Sequence, residues 1–328
     1  MNDKKALYVI PKIDLNKAPI EVPERDVNSF KVDFENKKNT LNRFENVAFF
    51  NLPSENEDFK PVFYVELDGR LYFGFTPRLR LFYEYSIKDG YKQKKCNFDY
   101  VKSIFGCINN DMGYKSKVSF SDAVVVSECK LAGNVSPVLS GPKPTSYLDY
   151  IQQVKGNTTY NTSGFELRGV KQYWLHDKIQ SIEKGNNSKV ESSFNPLKAG
   201  VQFRGKVRFQ NLTKDELGLL VWSIKLNDNS WMNVGKAKAY GYGVIAVSDV
   251  KVKTLDLEKA YSIDADLADN PMVDADATEL VKAYKESVNV KLGSNKIDEL
   301  QSVKDFFAMK NSETIPDNKN TRYMRLGD

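Results

Sequence analysis

The densest group of chemically capable residues runs from Gly235 to Gly243, Gly-Lys-Ala-Lys-Ala-Tyr-Gly-Tyr-Gly. Gly235, Gly241 and Gly243 permit close approach and backbone conformations that a side chain would forbid. Lys236 and Lys238 bring positive charge, and Tyr240 and Tyr242 bring flat faces. A loop of this make-up suits a phosphate backbone: main-chain N–H groups follow it, lysines pair with it and tyrosines stack on bases. It is not a Walker A loop, because the Gly-x-x-x-x-Gly-Lys-Ser/Thr order is absent. Nor is it a dinucleotide fingerprint, since it follows a helical stripe and leads into a strand. The bland alternative, a flexible hairpin-like connection with incidental lysines, fits the same residues.

Other residues invite chemistry less directly. Arg168, Lys171, Tyr173 and Trp174 mix cations with aromatics, as a single-stranded RNA surface does. The same pattern describes a basic strand with its aromatic face in the core, and Trp174 is read that way. Lys206 and Arg208 alternate with apolar neighbours and form a second basic row. His176 is the only histidine, so histidine-based metal clusters are excluded. As a general base it has Asp177 beside it, but a lone histidine is first a surface or core residue. Asp122, in Ser-Asp-Ala, is read as a turn or cap residue ahead of a nuclease carboxylate.

Metal and redox chemistry find little support. Cys96, Cys107 and Cys129 are spaced by 11 and 22 residues, a poor zinc pattern and an odd number for a disulfide framework. They are read as structural, with Cys129 ending a buried strand. The acidic run Asp264, Asp266, Asp269, Asp274 and Asp276 lacks the glycine and glutamate that an EF-hand requires. No metal and no cofactor is expected.

Charge is unevenly placed. The 328 residues carry 48 Lys plus Arg against 43 Asp plus Glu, a net of +5. Residues 256–328 hold 15 acidic and 10 basic side chains, a net of −5, which leaves +10 for residues 1–255. A basic body with an acidic tail fits a polyanion partner better than the total suggests. No apolar run approaches the roughly 18 to 20 residues that span a bilayer, and the start is charged. A cytoplasmic protein with no membrane partner is expected.

These residues need elements to position them. Residues 1–60 read as irregular, with short strands at Ala6–Ile10 and Val47–Phe50. Val62–Leu67, Asp68-Gly69 and Arg70–Phe75 form a hairpin, and Leu79–Ile87 is a further strand. A short helix runs from Asn97, its cap, to Phe105, with Gly106 as its stop. Val118–Val126 reads as a buried strand. The alternation in Val201–Phe209 predicts a half-buried strand. Thr213 and Glu216 form a capping box ahead of the stripe Leu217, Leu220, Val221 and Ile224. Strand, helix, glycine loop and the strand Val244–Val252 make one half of a ferredoxin-like fold. Helices follow at Ala277–Ser287, with Asp276 near its start, and at Lys296–Met309.

At this point the residues resemble a known family. Phe203–Leu220 followed by Gly235–Gly243 is similar to the RAMP superfamily of CRISPR-associated proteins, with its "leu-thr-x-x-glu-leu-gly" helix and glycine-rich loop. Asp99–Gly106 resembles the family's short helix ending in Phe-Gly, and Lys115–Ala123 its "ser-x-val-x-phe-ser-asp-ala" strand. Pro142–Tyr147 and Glu166–His176 resemble a type III subgroup with "pro-lys-pro-thr" and "leu-arg-gly-x-lys-x-tyr-trp" segments. The loop departs from the family in carrying lysines in place of Arg and Ser. The resemblance, which covers about residues 70–250, implies an α+β, ferredoxin-like module over 61–255 with insertions at about 130–200, and the charge and helical pattern add an acidic helical extension over 256–328. It also implies a type III effector subunit that holds guide RNA paired with target RNA and contacts other Cas subunits. Two rivals stay open. One is an endoribonuclease acting through Asp122 or His176, and the other is a capping subunit that meets only protein.

Overall fold

A computed structural model describes residues 16–41, 51–54, 56, 59–91, 98–109, 112–139, 141–153, 158–182, 191–263, 270–317 and 321–323. The expectations for Ala6–Ile10, Val47–Phe50, Cys96, Asn97, Asp264, Asp266 and Asp269 fall outside these residues. In chain order come α1 (Glu24–Leu41), β1 (Phe63–Leu67), β2 (Arg70–Gly74), α2 (Tyr100–Phe105), β3 (Cys107–Asn109) and β4 (Met112–Tyr114). Next are β5 (Val118–Phe120), β6 (Val124–Val125), α3 (Tyr147–Tyr150), β7 (Phe203–Arg204), β8 (Val207–Phe209) and α4 (Lys214–Ile224). The chain continues with β9 (Met232–Asn233), β10 (Val244–Ile245), β11 (Val252–Leu255), α5 (Leu257–Tyr261), β12 (Met272–Ala275), α6 (Ala277–Leu292) and α7 (Gln301–Lys310). Among the described residues every sheet is two-stranded and antiparallel, so the class is α+β.

The chain divides into two compact units, Met1–Lys92 with Pro144–Arg168, and Gln93–Lys143 with Gly169–Asp328. In the first, the β1–β2 hairpin forms as its sequence dictates. Asp68 and Gly69 both take positive φ, 53° and 70°, as a two-residue turn requires. Helix α1, which the sequence reading does not anticipate, starts after Pro23 with Glu24 and Asp26 in its first turn. It runs through 18 residues free of Gly and Pro. Among its described side chains Val27 and Phe34 are half-buried, Phe30 packs on Phe34, Phe73 and Phe75, and the buried Asp26 accepts from Arg70 Nε and Leu71 N. Ile151, Tyr160 and Phe165 form a smaller core. Leu79–Ile87 is not a strand, and Tyr85 N makes a single link to Tyr160 O.

The second unit is built on a long antiparallel ribbon. Its strong pairs are β5–β8, with Ser119 opposite Arg208, and β6–β7, with Val124 opposite Arg204. Isolated bridges continue it at Leu131–Leu197, Val135–Phe194 and Val138–Glu191. Helices α2 and α4 close over one end, where Ile104, Val118, Leu217, Leu220 and Val221 form the core with Val252 and Leu280. The capping box is present: Glu216 N donates to Thr213 Oγ1, and Thr213 N donates to the Glu216 carboxylate. Asp99, rather than the expected Asn97, caps α2 by accepting from Lys102 N at 2.8 Å, and Gly106 ends that helix at φ 77° as expected. Asp276 caps α6, which runs to Leu292. Helix α6 packs on α4, where Gly218 lets the Leu280 carbonyl approach so closely that a Cβ would overlap it.

The buried strand expected at Val118–Val126 is corrected. Val118 is buried, but Val124 is 59% exposed and Val125, Val126 and Cys129 are exposed too. An apolar run does not say what will cover it, and among the described residues no third strand pairs with the ribbon there.

Candidate nucleic-acid interface

The glycine loop is a tight, internally bonded turn on the β9–β10 hairpin. Asn233 pairs with Val244, and Val234 N donates to Gly243 O at 2.8 Å. Positive φ occurs at Gly235 (76°), Ala237 (54°), Gly241 (89°) and Gly243 (70°). A Cβ at Gly243 would overlap the Val234 carbonyl, and one at Gly241 would come within 3.0 Å of His176 Cβ. Gly235 has nothing near it, so only its conformation calls for glycine. Tyr240 N and Tyr242 N both donate to Ala237 O, and Gly241 N donates to Lys238 O. Those three N–H groups are therefore spent inside the loop.

Lys236 is exposed. Lys238 donates to Gly235 O at 2.7 Å and lies 5.1 Å from the centre of the Tyr173 ring. Lys171 lies 5.6 Å from that same ring, so two of the expected cations converge on Tyr173. Beneath them, Lys310 at the end of α7 donates to Tyr173 O at 2.8 Å and Asn233 Oδ1 at 2.9 Å. Lys310 is 4% exposed, and burial pushes its ammonium below the usual lysine range. It ties the segment carrying Lys171 to the base of the glycine loop.

The tyrosines are used differently. Tyr240 is 7% exposed; its hydroxyl donates to Val138 O, and its ring stacks on Tyr323 at 4.8 Å and 11°. Tyr242 is half-buried, edge-on to Phe194 of the ribbon. Trp174 is 38% exposed rather than in the core; the neighbouring Leu175 and His176 turn inward instead. His176 Nδ1 faces Gln180 Nε2 at 2.9 Å and Thr321 Oγ1 at 3.3 Å.

The remaining residues lie elsewhere. Arg168 belongs to the first unit, where it is exposed and donates to Leu148 O at 2.9 Å. Lys206 and Arg208 are exposed on the ribbon at the α4 end, whereas the loop meets it at Val138 and Phe194. Asp122 is exposed on the ribbon beside Ser121, whose amide and hydroxyl pair with Lys206 O. Asp122 and His176 are thus held by different neighbours. No group of three or more His, Cys, Asp or Glu able to hold a metal occurs among the described residues.

Three features escape the sequence reading. Phe105, at the end of α2, and Phe120 of β5 are exposed and stacked at 6.3 Å. Alternation puts Phe120 on the face of the buried Val118, so the period-two pattern could not have announced its exposure. Tyr323 and Lys310 are reached only through long-range contacts, which no local pattern announces.

A second charged cluster lies at the start of α4. Glu216 is 6% exposed and accepts from Lys117 Nζ at 2.9 Å, Thr213 N at 3.0 Å and Ser103 Oγ. Burial pushes its carboxyl up, but the Ser103, Lys117 and Thr213 donors outweigh this and hold it below its ordinary value. The Glu216 hydrogen bond holds Lys117 above the usual lysine range. Asp215 is lowered by Thr213 and Tyr100, whose hydroxyls donate to it at 2.5 and 2.7 Å. This cluster joins α2, β5 and α4.

The ribbon, α4 and the glycine loop fall together inside one family match. The chain belongs to the RAMP superfamily, whose model matches residues 69–246, more than half of its length. Membership points to a CRISPR-associated, RNA-binding module with Cas-complex partners. No curated protein matches the chain. No helix among the described residues is long and apolar enough to cross a membrane.

Proposed function

We propose that this protein is an RNA-binding subunit of a type III CRISPR effector, holding guide RNA while target RNA pairs with it and contacting neighbouring Cas subunits. The observation that carries this reading is the convergence of Lys171 and Lys238 on the Tyr173 ring beside the exposed Lys236. Cations around an aromatic face serve the phosphate and the base of one nucleotide together. Lys206 and Arg208, exposed on the face of the ribbon opposite Val207, extend the basic surface along it. Arg168 and the half-buried Tyr242 are further contacts in this reading. Sequence specificity then belongs to guide–target pairing rather than to side-chain readout of bases. The packing of α2 and α4 against the β5–β8 pair supports a ferredoxin-like module as the scaffold.

The test is fluorescence anisotropy with single-stranded oligouridylate over a salt series. Binding should weaken steeply with salt. The combined Lys171→Ala, Lys206→Ala, Arg208→Ala and Lys236→Ala variant should flatten the log–log slope by about 3, at roughly 0.7 per phosphate contact. The absence of binding by the chain, alone and in its complex, would sink the proposal.

A further inference from the structure

The ring face of Tyr240 is already occupied by the chain's own C-terminal segment. Tyr323 lies nearly parallel to it, with centroids 4.8 Å apart, and Tyr323 is half-exposed while Tyr240 is buried. Tyr323 is thus the outer layer of the stack. The segment is also read along its backbone. Gln180 Nε2 donates to Thr321 O at 3.2 Å, and Gln180 Oε1 accepts from Tyr323 N at 3.2 Å. Thr321 Oγ1 reaches His176 Nδ1 at 3.3 Å, and which of them donates depends on the imidazole tautomer. One carboxamide thus offers a donor and an acceptor side by side, next to an aromatic plane.

That pair of features is what an unstacked nucleobase needs: a face to stack on and an amide to meet its edge. We propose that Thr321–Tyr323 is a removable cover, holding in cis the Tyr240 face and the Gln180 amide that a base of single-stranded RNA takes on loading. The inference rests on the RNA-holding reading above. A base in this position recovers the stack and both Gln180 hydrogen bonds, so exchange of tail for RNA is nearly balanced. The contacts suit such exchange, since the links to Gln180 and His176 are each 3.2 Å or longer and the outer ring is half-exposed. Covering the face lowers apparent affinity by the fraction of molecules that are open.

The experiment uses the full chain and single-stranded oligouridylate. Tyr323→Ala should tighten binding about fivefold, or about 1 kcal/mol. Tyr240→Ala added to that background should abolish the gain, and Tyr323→Phe, which keeps the stack, should bind as the parent does. Unchanged or weaker binding by Tyr323→Ala overturns the cover. Hydrogen exchange without RNA separates this failure from failure of the underlying reading. Tyr323→Ala should speed exchange at Tyr240, Gly241 and Tyr242 whether or not RNA is the ligand, and unchanged exchange there overturns the cover on its own.

Discussion

The start of α4 and the glycine loop both close a turn in the same unit, by opposite means. At α4 the closure is ionic and hydroxylic: Thr213, Glu216, Lys117 and Ser103 satisfy one another around a buried carboxylate. At the loop it is conformational and aromatic, with three glycines and Ala237 at positive φ and Tyr240 packed under Tyr323. A buried charge tolerates no vacancy, because the partner left behind cannot be solvated. A stacked ring tolerates exchange, because another planar group can replace it. The first arrangement therefore suits a fixed frame, and the second suits a surface that trades one occupant for another.

The sharpest way to break this contrast is Lys117→Met. It leaves Glu216 buried without its cation and should cost about 3 kcal/mol in denaturant unfolding, at the low end for a broken buried pair because Lys117 keeps some solvent contact. Adding Glu216→Gln should recover at least half, since a neutral amide needs no counter-charge. A loss under about 1 kcal/mol, or no recovery, would make this cluster as exchangeable as the loop.

Acid should act on the same cluster with a defined sign. Glu216 and Asp215 are held below their ordinary values of 4.5 and 3.8. Their stabilisation is therefore present above those values and lost as pH falls through the lower folded-state ones. Lys117 is raised above 10.5, so its contribution is complete below that value and is lost as pH rises beyond it. Melting temperature should be level in this respect from about pH 5 to 10. Glu216→Gln should lower it by a few degrees at pH 7, roughly the effect of 1 kcal/mol, and by progressively less toward pH 3. A constant difference across that range would remove the carboxylate from the account.

What the sequence made legible follows the same division. The capping box, the Asp68-Gly69 turn and the Gly106 stop were readable because each is satisfied within a few residues. The glycine loop was readable as a loop, because positive φ leaves glycine as its trace. Which of its side chains face outward was not, because Tyr240 is buried by Tyr323 and Val138, far away in the chain. The apolar Val124–Val126 and Trp174 misled for a related reason. Hydropathy reports what a side chain prefers, and only the topology decides whether anything covers it. Helix α1 was missed although Val27, Phe30 and Phe34 fall at helical spacing, because that stripe is short and the buried Asp26 beside it breaks the apolar pattern.

The smallest effect sharpens the loop half of the comparison. Gly235 has open space around it but sits at φ 76°, so a methyl group there meets no atom and pays only for backbone conformation. Gly235→Ala should cost about 1 kcal/mol, a shift of a few degrees in melting temperature. Gly235→Asn should cost less than alanine, because asparagine enters the left-handed region more readily. That ordering distinguishes conformation from packing, since asparagine is the larger residue and would be the worse one if space were limiting. If alanine proves the milder change, space within the loop rather than backbone conformation limits this position, and the conformational account of its closure fails.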